Sequence, residues 1–385
     1  MLIKRQILSE VKLLATQFRA LSIIGPRQSG KTTLCQLAFG NKPYVNFENP
    51  ATEAEALTDV AGFLKKFPDG AILDEVQRVP DIFRRLQVIL DQSNKRGHFI
   101  LTGSNNFLLQ EHISQSLAGR IGYLQLLPLS YAELKSNGLA SNNIHKHILT
   151  GGYPEIWNLG LQADKWMQAY IQTYVQRDVR LLRNITNLGN FNRFVILCAN
   201  YAGQLLNRDE LAKSIGVDTK TIQAWLGVLE SSYIIYLLQP WYNNLNKRII
   251  KSPKLYFYDT GLLCNLLGIR TQSTLEHHEK YGAIFENWVI TEIKKNRFNS
   301  GDNSMLYFFR DSAGNEMDLV LEKNEKMIGI EIKSAKKISP HVTPSFRYWK
   351  KNNPTAENIL IYSGNATREL ASATQLLSWR DIDEL

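Results

Sequence analysis

The sequence is poor in cysteine. It has three cysteines in 385 residues, Cys35, Cys198 and Cys264, and none is at metal-binding spacing from another. An odd number of widely separated cysteines excludes the disulfide framework of a small secreted domain. We therefore expect three reduced thiols in or near the core of a cytoplasmic protein.

Long apolar runs are also missing. No stretch approaches the roughly 18 apolar residues of a membrane-spanning helix. The segment from Met1 to Gln6 lacks the apolar core and small-residue cleavage site of a signal peptide. Internal repeats and low-complexity segments are absent as well. These absences predict a cytoplasmic chain without a membrane partner.

The remaining composition is that of an ordinary globular protein with an excess of positive charge. Hydrophobic residues make up 44% of the chain, the formal net charge is +9 and the pI is about 9.2. Such a charge is compatible with nucleic-acid binding but does not prove it. Because single cores rarely grow beyond about 250–300 residues, we expect two to four domains.

The strongest functional signal is a phosphate-binding loop of the form G-x-x-x-x-G-K-T. It consists of Gly25, Pro26, Arg27, Gln28, Ser29, Gly30, Lys31 and Thr32. An apolar run at 20–24 predicts a strand before it, and residues 33–38, starting with Thr33, predict a helix after it. In that setting backbone N–H groups surround a triphosphate, Lys31 contacts the β- and γ-phosphates and Thr32 binds Mg²⁺. The sequence therefore predicts ATP and Mg²⁺ as ligands.

A second motif completes this site. Residues 71–75 form an apolar strand that ends in Asp74 and Glu75. We expect Asp74 to hold the Mg²⁺ through water and Glu75 to orient and polarise the attacking water. A carboxylate directly after Asp74 favours hydrolysis over a switch that only binds nucleotide.

A third segment predicts a sensor of the γ-phosphate. Residues 98–105 form a further strand that ends in small polar residues, of which Ser104 or Asn105 would contact the γ-phosphate. The alternative is an ordinary exit from strand to turn. Asn46, at the end of another predicted strand, is a candidate to restrain Glu75.

The order of predicted elements indicates an α/β fold in the first third of the chain. Strands are predicted near 20–24, 43–47, 70–74, 98–102 and 123–127, alternating with helices. This alternation is typical of a parallel sheet with helices on both faces. A helical region follows from residue 131, with a long helix from Trp166 to about Leu182. The Asn- and Gly-rich residues 184–192 predict the first linker.

The middle of the chain predicts a winged helix. Two helices, at 207–215 and 219–230, are joined by a turn in which Asp218 is an N-cap. Strands at 233–238 and 254–258 follow, with a long basic loop between them. In a DNA-bound winged helix, Lys220 and Gln223 would face a groove. The residues expected to contact phosphates are Lys247, Arg248, Lys251 and Lys254. The alternative is a winged helix that packs against protein.

A second group of charged residues lies near the carboxyl terminus. Glu331 and Lys333 share one face of a predicted strand, Asp318 lies on the strand before it, and Glu286 lies on an earlier helix. Carboxylates that hold a divalent ion beside a lysine form a phosphodiester-cleaving site. The spacing resembles the PD-(D/E)xK nuclease superfamily, although Met317 stands where that motif has a proline. The metal ligands would be Asp318 and Glu331. The alternative is an ion pair in a fold that has lost the chemistry.

Over nearly its whole length the chain resembles a prokaryotic AAA+ ATPase family with a carboxy-terminal domain of unknown function. The resemblance is carried by residues 25–32, 73–77 (LDEVQ), 101–104 (LTGS), 117–120 (LAGR), 151–154 (GGYP), 258–261 (YDTG) and 331–333 (EIK). It implies a P-loop core at 1–130, a helical lid at 131–195, a winged helix at 196–275 and a nuclease-like domain at 276–385. Within this family likeness, Arg120 is the candidate for a phosphate-contacting arginine, acting in cis or from a neighbouring subunit of a homo-oligomer. Arg177 and Arg180 are the alternatives.

Two functions remain open at this point. One is an ATP-hydrolysing enzyme that couples its nucleotide state to DNA, with nucleic acid as partner. The other is a nucleotide-dependent regulatory switch that binds a protein, with an inactive nuclease-like domain.

Overall fold

The computed structural model describes most of the chain in two compact units. The described residues are 2–104, 113, 116–178, 187–241, 252–311, 314–323, 325–338, 344–370 and 374–385. The amino-terminal unit comprises residues 1–129, 231–233 and 297–302. The carboxy-terminal unit comprises residues 130–230, 234–296 and 303–385.

The amino-terminal unit contains a parallel five-stranded sheet. Its strands are β1 (Ala20–Ile24), β2 (Tyr44–Asn46), β3 (Ile72–Asp74), β4 (Phe99–Gly103) and β5 (Ile121–Gln125). Their order is β2-β3-β4-β1-β5, and all pairings are parallel. This confirms the predicted α/β class and parallel core, with every strand boundary within two residues of its predicted position.

Helices alternate with these strands along the chain. They are α1 (Leu8–Gln17), α2 (Lys31–Ala38), α3 (Pro50–Thr58), α4 (Val60–Lys65) and α5 (Asp81–Gln92). Apolar residues of α1 and α2, such as Val11 and Leu34, pack with Leu21 and Ile23 of β1. All five residues of β1 are buried, which explains why this strand is a continuous apolar run rather than an alternating one.

The carboxy-terminal unit contains an eight-stranded mixed sheet. Its strands are β6 (Ile235–Pro240), β7 (Lys254–Phe257), β8 (Tyr307–Arg310), β9 (Glu316–Lys323), β10 (Lys326–Lys333), β11 (Glu357–Tyr362), β12 (Arg368–Leu370) and β13 (Thr374–Ser378). The order is β12-β13-β11-β10-β9-β8-β6-β7. Helical segments precede and interrupt the sheet in the sequence.

The helices after the parallel sheet are mostly short. They are α6 (Tyr131–Ser136), α7 (Ile144–Thr150), α8 (Pro154–Leu159), α9 (Ala163–Tyr170), α10 (Leu188–Asn200), α11 (Arg208–Ile215), α12 (Thr219–Ser231), α13 (Thr260–Leu266), α14 (Gln272–Glu276), α15 (Tyr281–Asn299) and α16 (Pro344–Asn352). Helix α9 continues as a π-helix over Ile171–Asp178. The predicted long helix from Trp166 is therefore a short α-helix followed by π-helical backbone in its described part.

The predicted linker at 184–192 is wrong in its second half. Helix α10 begins at Leu188, and the side chain of Asn187 accepts a hydrogen bond from the backbone N–H of Asn190 at 3.0 Å. Asparagine is favoured at this N-cap position as well as in loops, so the composition alone was ambiguous. The domain boundary predicted at residue 195 falls inside α10.

The hairpin β6–β7 shares its sheet with the carboxy-terminal strands. Strand β6 pairs antiparallel with β7 on one side and parallel with β8 on the other, through Gln239–Tyr307 and Pro240–Phe308. The backbone N–H of Trp241 extends this pairing by donating to the carbonyl of Phe308 at 2.6 Å. Strands that the sequence assigned to two domains thus form one sheet.

The cysteine prediction is confirmed. Cys35, Cys198 and Cys264 are buried and form no disulfide. Across the described ranges, we find no helix with the length and apolarity needed to cross a membrane.

Candidate functional site

The predicted phosphate loop follows the carboxyl end of β1, between β4 and β5. The chain reaches β4 on one side of β1 and then crosses to β5 on the other side. Ligands of open α/β sheets bind at such a switch point, outside the carboxyl ends of the strands. Because the strands are parallel, residues that follow β1, β3 and β4 meet at this edge.

Two glycines of the loop have backbone requirements that other residues would not meet. Gly25 has φ +156°, and a Cβ there would lie 2.0 Å from the carbonyl oxygen of Leu126. Gly30 has φ +92° and directly precedes Lys31, the first residue of α2. The loop therefore leads into a helix N-terminus, where free N–H groups and the helix dipole favour phosphate. Thr33 lies exposed in the first turn of α2.

Lys31 is held inside the loop. Its Nζ donates to the carbonyl oxygens of Gly25 at 3.0 Å and Pro26 at 2.8 Å. Burial lowers the pKa of Lys31, and the nearby carboxylates of Glu75 and Asp74 oppose this shift. The buried hydroxyl of Ser29 has no hydrogen-bond partner among the described atoms. A loop ammonium bonded to loop carbonyls and a loop hydroxyl without a partner among the described residues fit a triphosphate.

A residue outside the motif anchors the loop. The buried guanidinium of Arg5 donates to the carbonyl of Ser29 and to that of Leu127, both at 2.7 Å. Arg5 thereby ties the loop to the segment after β5. Sequence analysis missed it because nothing at the amino terminus marks a partner more than 100 residues away. Of the other loop side chains, Arg27 forms a 3.7 Å ion pair with Glu48.

Asp74 and Thr32 are joined at the predicted Mg²⁺ site. The Thr32 hydroxyl donates to Asp74 Oδ2 at 2.8 Å, and the Tyr44 hydroxyl donates to the same oxygen at 2.6 Å. The Thr102 hydroxyl donates to Asp74 Oδ1. A hydroxyl and a buried carboxylate are oxygen ligands of the kind Mg²⁺ prefers, so these residues fit the ion. Tyr44 and Thr102 were missed, because polar strand ends are common.

Glu75 is held by Ser104 and Gln77. Its Oε2 accepts hydrogen bonds from the Ser104 hydroxyl at 3.0 Å and from Gln77 Nε2 at 2.5 Å. The backbone of Glu75 has φ +54°, an unusual value for a residue with a side chain. Ser104 therefore lies beside the predicted water-orienting carboxylate, whereas its alternative Asn105 lies outside the described residues.

The prediction that Asn46 restrains Glu75 is wrong. Asn46 Oδ1 instead accepts a hydrogen bond from the backbone N–H of Glu48 at 2.8 Å. Short amide side chains often close such local turns, which compete with longer-range contacts.

Arg120 does not reach the loop in this arrangement. It precedes β5 and therefore lies at the amino edge of the sheet, whereas the loop lies at the carboxyl edge. The five residues of a strand separate the two edges by about 16 Å. Its guanidinium pairs with both carboxylate oxygens of Asp91, at 2.5 and 2.9 Å. A role in cis is therefore wrong, and a role from a neighbouring subunit stays a prediction. The Arg177 side chain and Arg180 lie outside the described residues.

The two helices of the predicted winged helix form as expected. The Asp218 carboxylate accepts from the Thr221 N–H at 2.6 Å, so the predicted N-cap is confirmed. Trp225 of α12 packs edge-on against Phe191 of α10, with ring centroids 5.4 Å apart. Lys220 and Gln223 are exposed on α12.

The basic loop is described only at its end. Lys247, Arg248 and Lys251 lie outside the described residues. Lys254 lies in β7 and is 3% exposed, paired with two glutamates. The prediction that Lys254 contacts phosphates is wrong, because all four residues of β7 are buried and the Lys254 ammonium lies against Glu286 and Glu316.

The predicted carboxy-terminal charges converge into one partly buried cluster. Lys333 Nζ lies 2.7 Å from Glu331 Oε2 and 3.9 Å from Asp318 Oδ2. Asp318 Oδ2 also accepts from the Ile332 N–H at 2.8 Å. Glu286 is bonded by Lys254 at 3.2 Å and by the Tyr256 hydroxyl at 2.5 Å.

Two further features of this cluster were not foreseen. Lys254 also contacts Glu316, at 2.5 Å, so both residues join the group. Burial raises the pKa of Glu286 to about 7, against the opposing effect of Lys254. Burial also raises the pKa values of Asp318 and Glu331. Within the part of the chain that the structure describes, no three His, Cys, Asp or Glu side chains are grouped so that they could hold a metal ion.

The GGYP and YDTG motifs meet at a buried carboxylate. Asp259 accepts hydrogen bonds from the N–H groups of Gly152 at 2.7 Å and Leu262 at 3.0 Å. Gly151 has φ +69°, and a Cβ there would lie 2.2 Å from Asp259 Oδ1. These two motifs of the family resemblance therefore form a structural clamp.

Three family models match successive parts of the chain. Residues 17–135 match an AAA domain. Residues 141–273 match a domain of unknown function, DUF8612. Residues 281–382 match a second domain of unknown function, DUF4143.

Relatives match almost the full length. The uncharacterized protein Rv2008c of Mycobacterium tuberculosis is 32% identical over 373 residues, covering 94% of this chain and 82% of that protein. The uncharacterized protein Mb2031c of Mycobacterium bovis gives the same values. An uncharacterized protein of Haemophilus influenzae is 22% identical over 367 residues, covering 86% of each chain.

Solved structures show only distant likeness. A Walker-type ATPase of Pyrococcus abyssi has a TM-score of 0.47 at 15% identity, covering 69% of this chain and 96% of its own. DnaA of Aquifex aeolicus, bound to AMPPCP, has a TM-score of 0.29 at 14% identity, covering 58% and 86%. At these TM-scores neither structure carries an argument about function.

Proposed function

This chain belongs to the same protein family as Rv2008c of Mycobacterium tuberculosis and has an AAA domain match at residues 17–135, and on that premise we propose that it binds ATP with Mg²⁺ and hydrolyses it. The observation that carries the proposal is the meeting of Lys31, Thr32, Asp74 and Glu75 at one edge of the parallel sheet. The reaction is hydrolysis of the γ-phosphate by water.

Each residue has a separate part in this proposal. The Lys31 ammonium leaves the loop carbonyls for the β- and γ-phosphates, while loop N–H groups bind the remaining oxygens. Thr32 and Asp74 would hold Mg²⁺, and the bound ion would supply charge neutralisation of the phosphates. Glu75 orients the attacking water, and Ser104 fixes the position of the Glu75 carboxylate.

The first test is Lys31→Ala. We expect ATP affinity to fall by about 100-fold, which corresponds to about 3 kcal/mol and to the upper range for a hydrogen bond with a charged partner. Titration with a fluorescent ATP analogue would measure it. The matched control is Lys95→Ala, which removes an exposed lysine paired with Asp69 in the same unit and should leave affinity unchanged. Equal affinity in both variants would contradict the role of Lys31.

We further propose that the nucleotide state is coupled to nucleic-acid binding. What supports this is helix α12, which buries its apolar face and leaves Lys220 and Gln223 exposed, in a chain of net charge +9. Lys247, Arg248 and Lys251 lie between β6 and β7 in the sequence. Lys254 is not part of this surface, because it is buried.

The salt dependence of DNA binding tests whether these basic residues contact DNA phosphates. Each phosphate contact should contribute a log–log slope of about −0.9 on duplex, so Ala at positions 247, 248 and 251 should flatten the slope by up to about three units. Fluorescence anisotropy at several salt concentrations would measure it. Ala at the exposed Lys65, Lys66 and Lys95 is a charge-matched control. An unchanged slope would mean that these three residues do not contact DNA phosphates.

The second candidate function is a switch that binds a protein partner. It would leave the ATPase rate insensitive to DNA, whereas the first candidate predicts a DNA-dependent rate. Measuring hydrolysis with and without duplex separates the two.

A further inference from the structure

We propose that Lys254 is the resident cation of a partly buried carboxylate cluster, so that this chain holds the cluster together without a divalent metal ion. The carboxylate cluster is defined as Glu286, Glu316, Asp318 and Glu331. This inference concerns the carboxy-terminal unit and does not depend on ATP hydrolysis.

The ammonium of Lys254 lies between two of these carboxylates. Its Nζ is 3.2 Å from Glu286 Oε1 and 2.5 Å from Glu316 Oε1. The Lys254 side chain is 4% exposed, so the contacts are largely shielded from water. Burial opposes its charge, but the carboxylates of Glu286, Glu316 and Asp318 outweigh burial and raise the pKa of Lys254. Lys254 is therefore a fixed positive charge.

The other two carboxylates of the cluster, Glu331 and Asp318, lie near a second ammonium, that of Lys333. Lys333 pairs with Glu331 at 2.7 Å and lies 3.9 Å from Asp318. Asp318 Oδ2 is also used by the backbone N–H of Ile332. The two residues predicted to bind a metal ion thus already share a cation from the protein.

A divalent ion does not fit this arrangement. Mg²⁺ and related ions need several oxygen ligands at about 2.0–2.6 Å. An ion placed between Glu286 and Glu316 would occupy the space of the Lys254 ammonium and would be repelled by it at low effective dielectric. Among the described residues, the cluster also contains no three His, Cys, Asp or Glu side chains placed so that they could hold one metal ion.

Lysine at this position also explains how the carboxylates stay buried. An isolated ionised carboxylate is costly to bury unless it is paired and hydrogen-bonded. Without the Lys254 charge, Glu286 and Glu316 would lose the cation that they share. Their side chains are only 17% and 27% exposed, respectively. A cation from solution could then take its place, as buried carboxylates often bind metals.

Manganese binding without nucleotide tests the proposal. Electron paramagnetic resonance of Mn²⁺ would count bound ions in the full chain. Wild type and Asp318→Asn should bind the same number, since neither uses the cluster. Lys254→Met should bind one additional ion between Glu286 and Glu316, and Lys254→Met with Glu316→Gln should lose it. Because every variant keeps the nucleotide site, Mn²⁺ bound at Asp74 cancels in these comparisons.

Three controls separate charge from folding. Lys254→Arg keeps the positive charge and should gain no ion. Lys323→Met removes an exposed lysine of the same unit and should also gain none. Circular dichroism shows whether each variant folds. A wild-type chain that loses a bound Mn²⁺ on Asp318→Asn would overturn the proposal, and this comparison stands even if Lys254→Met does not fold. Absence of an additional ion in folded Lys254→Met would overturn it too.

Discussion

Replacing Glu75 by Gln is expected to reduce the kcat of ATP hydrolysis by about 100-fold or more, the range for a residue in general acid–base catalysis. Glutamine keeps a side-chain oxygen that can accept the Ser104 hydrogen bond, so the local structure should persist. ATP affinity should stay nearly constant, because Glu75 acts on water rather than on the phosphates. Steady-state hydrolysis and nucleotide titration measure the two quantities separately.

The matched control for this variant is Glu55→Gln. Glu55 is an exposed glutamate of the same unit that pairs with Lys66. Its loss should change neither kcat nor affinity, because exposed ion pairs contribute about 0–1 kcal/mol and this one is remote from the loop. Undiminished hydrolysis in Glu75→Gln would remove Glu75 from the mechanism and point to another group near the γ-phosphate.

Replacing Asp259 by Ala is expected to destabilise the carboxy-terminal unit by about 3 kcal/mol. The substitution leaves two buried N–H groups, of Gly152 and Leu262, without their acceptor, at about 1–3 kcal/mol each. The Leu262 bond is also the N-cap of α13, so the loss of the cap is already included in this sum. Relief of a buried charge offsets part of the sum. Urea denaturation followed by tryptophan fluorescence measures the change.

Asp383→Ala provides the comparison. Asp383 forms an ion pair with the exposed Lys135 in the same unit, at 3.0 Å, and its removal should cost about 1 kcal/mol or less. If the two aspartate variants have equal urea midpoints, the clamp between the GGYP and YDTG motifs contributes no special stability. Loss of nucleotide binding in Asp259→Ala is not expected.

The nucleotide site could be predicted because its main parts are contiguous in the sequence. Gly25 and Gly30 are needed for backbone angles and close approaches within one loop, Asp74 is the last residue of β3, and Glu75 directly follows it. Local patterns also predicted the five parallel strands and the N-cap at Asp218. Their determinants lie within a few residues, where steric and hydrogen-bonding rules apply without knowledge of the fold.

The partners of these residues were not predictable in the same way. Ser104 holds Glu75 because β4 lies beside β3. Asn46, on the other neighbouring strand β2, closes a local turn with Glu48 instead, and Tyr44 of β2 contacts Asp74. Arg120 was predicted from its place in a motif, but the direction of β5 puts it at the opposite edge of the sheet.

The sequence by itself determined the phosphate loop, the acidic strand end and the α/β class, since each depends on short-range periodicity and backbone geometry. Only the tertiary structure decided that Lys254 is a buried counterion rather than a surface contact for phosphates. That outcome depends on contacts of Lys254 with Glu286 and Glu316, which follow it in the chain by 32 and 62 positions. Burial and charge pairing are properties of the folded sheet, and a basic residue in a basic stretch carries no sign of them.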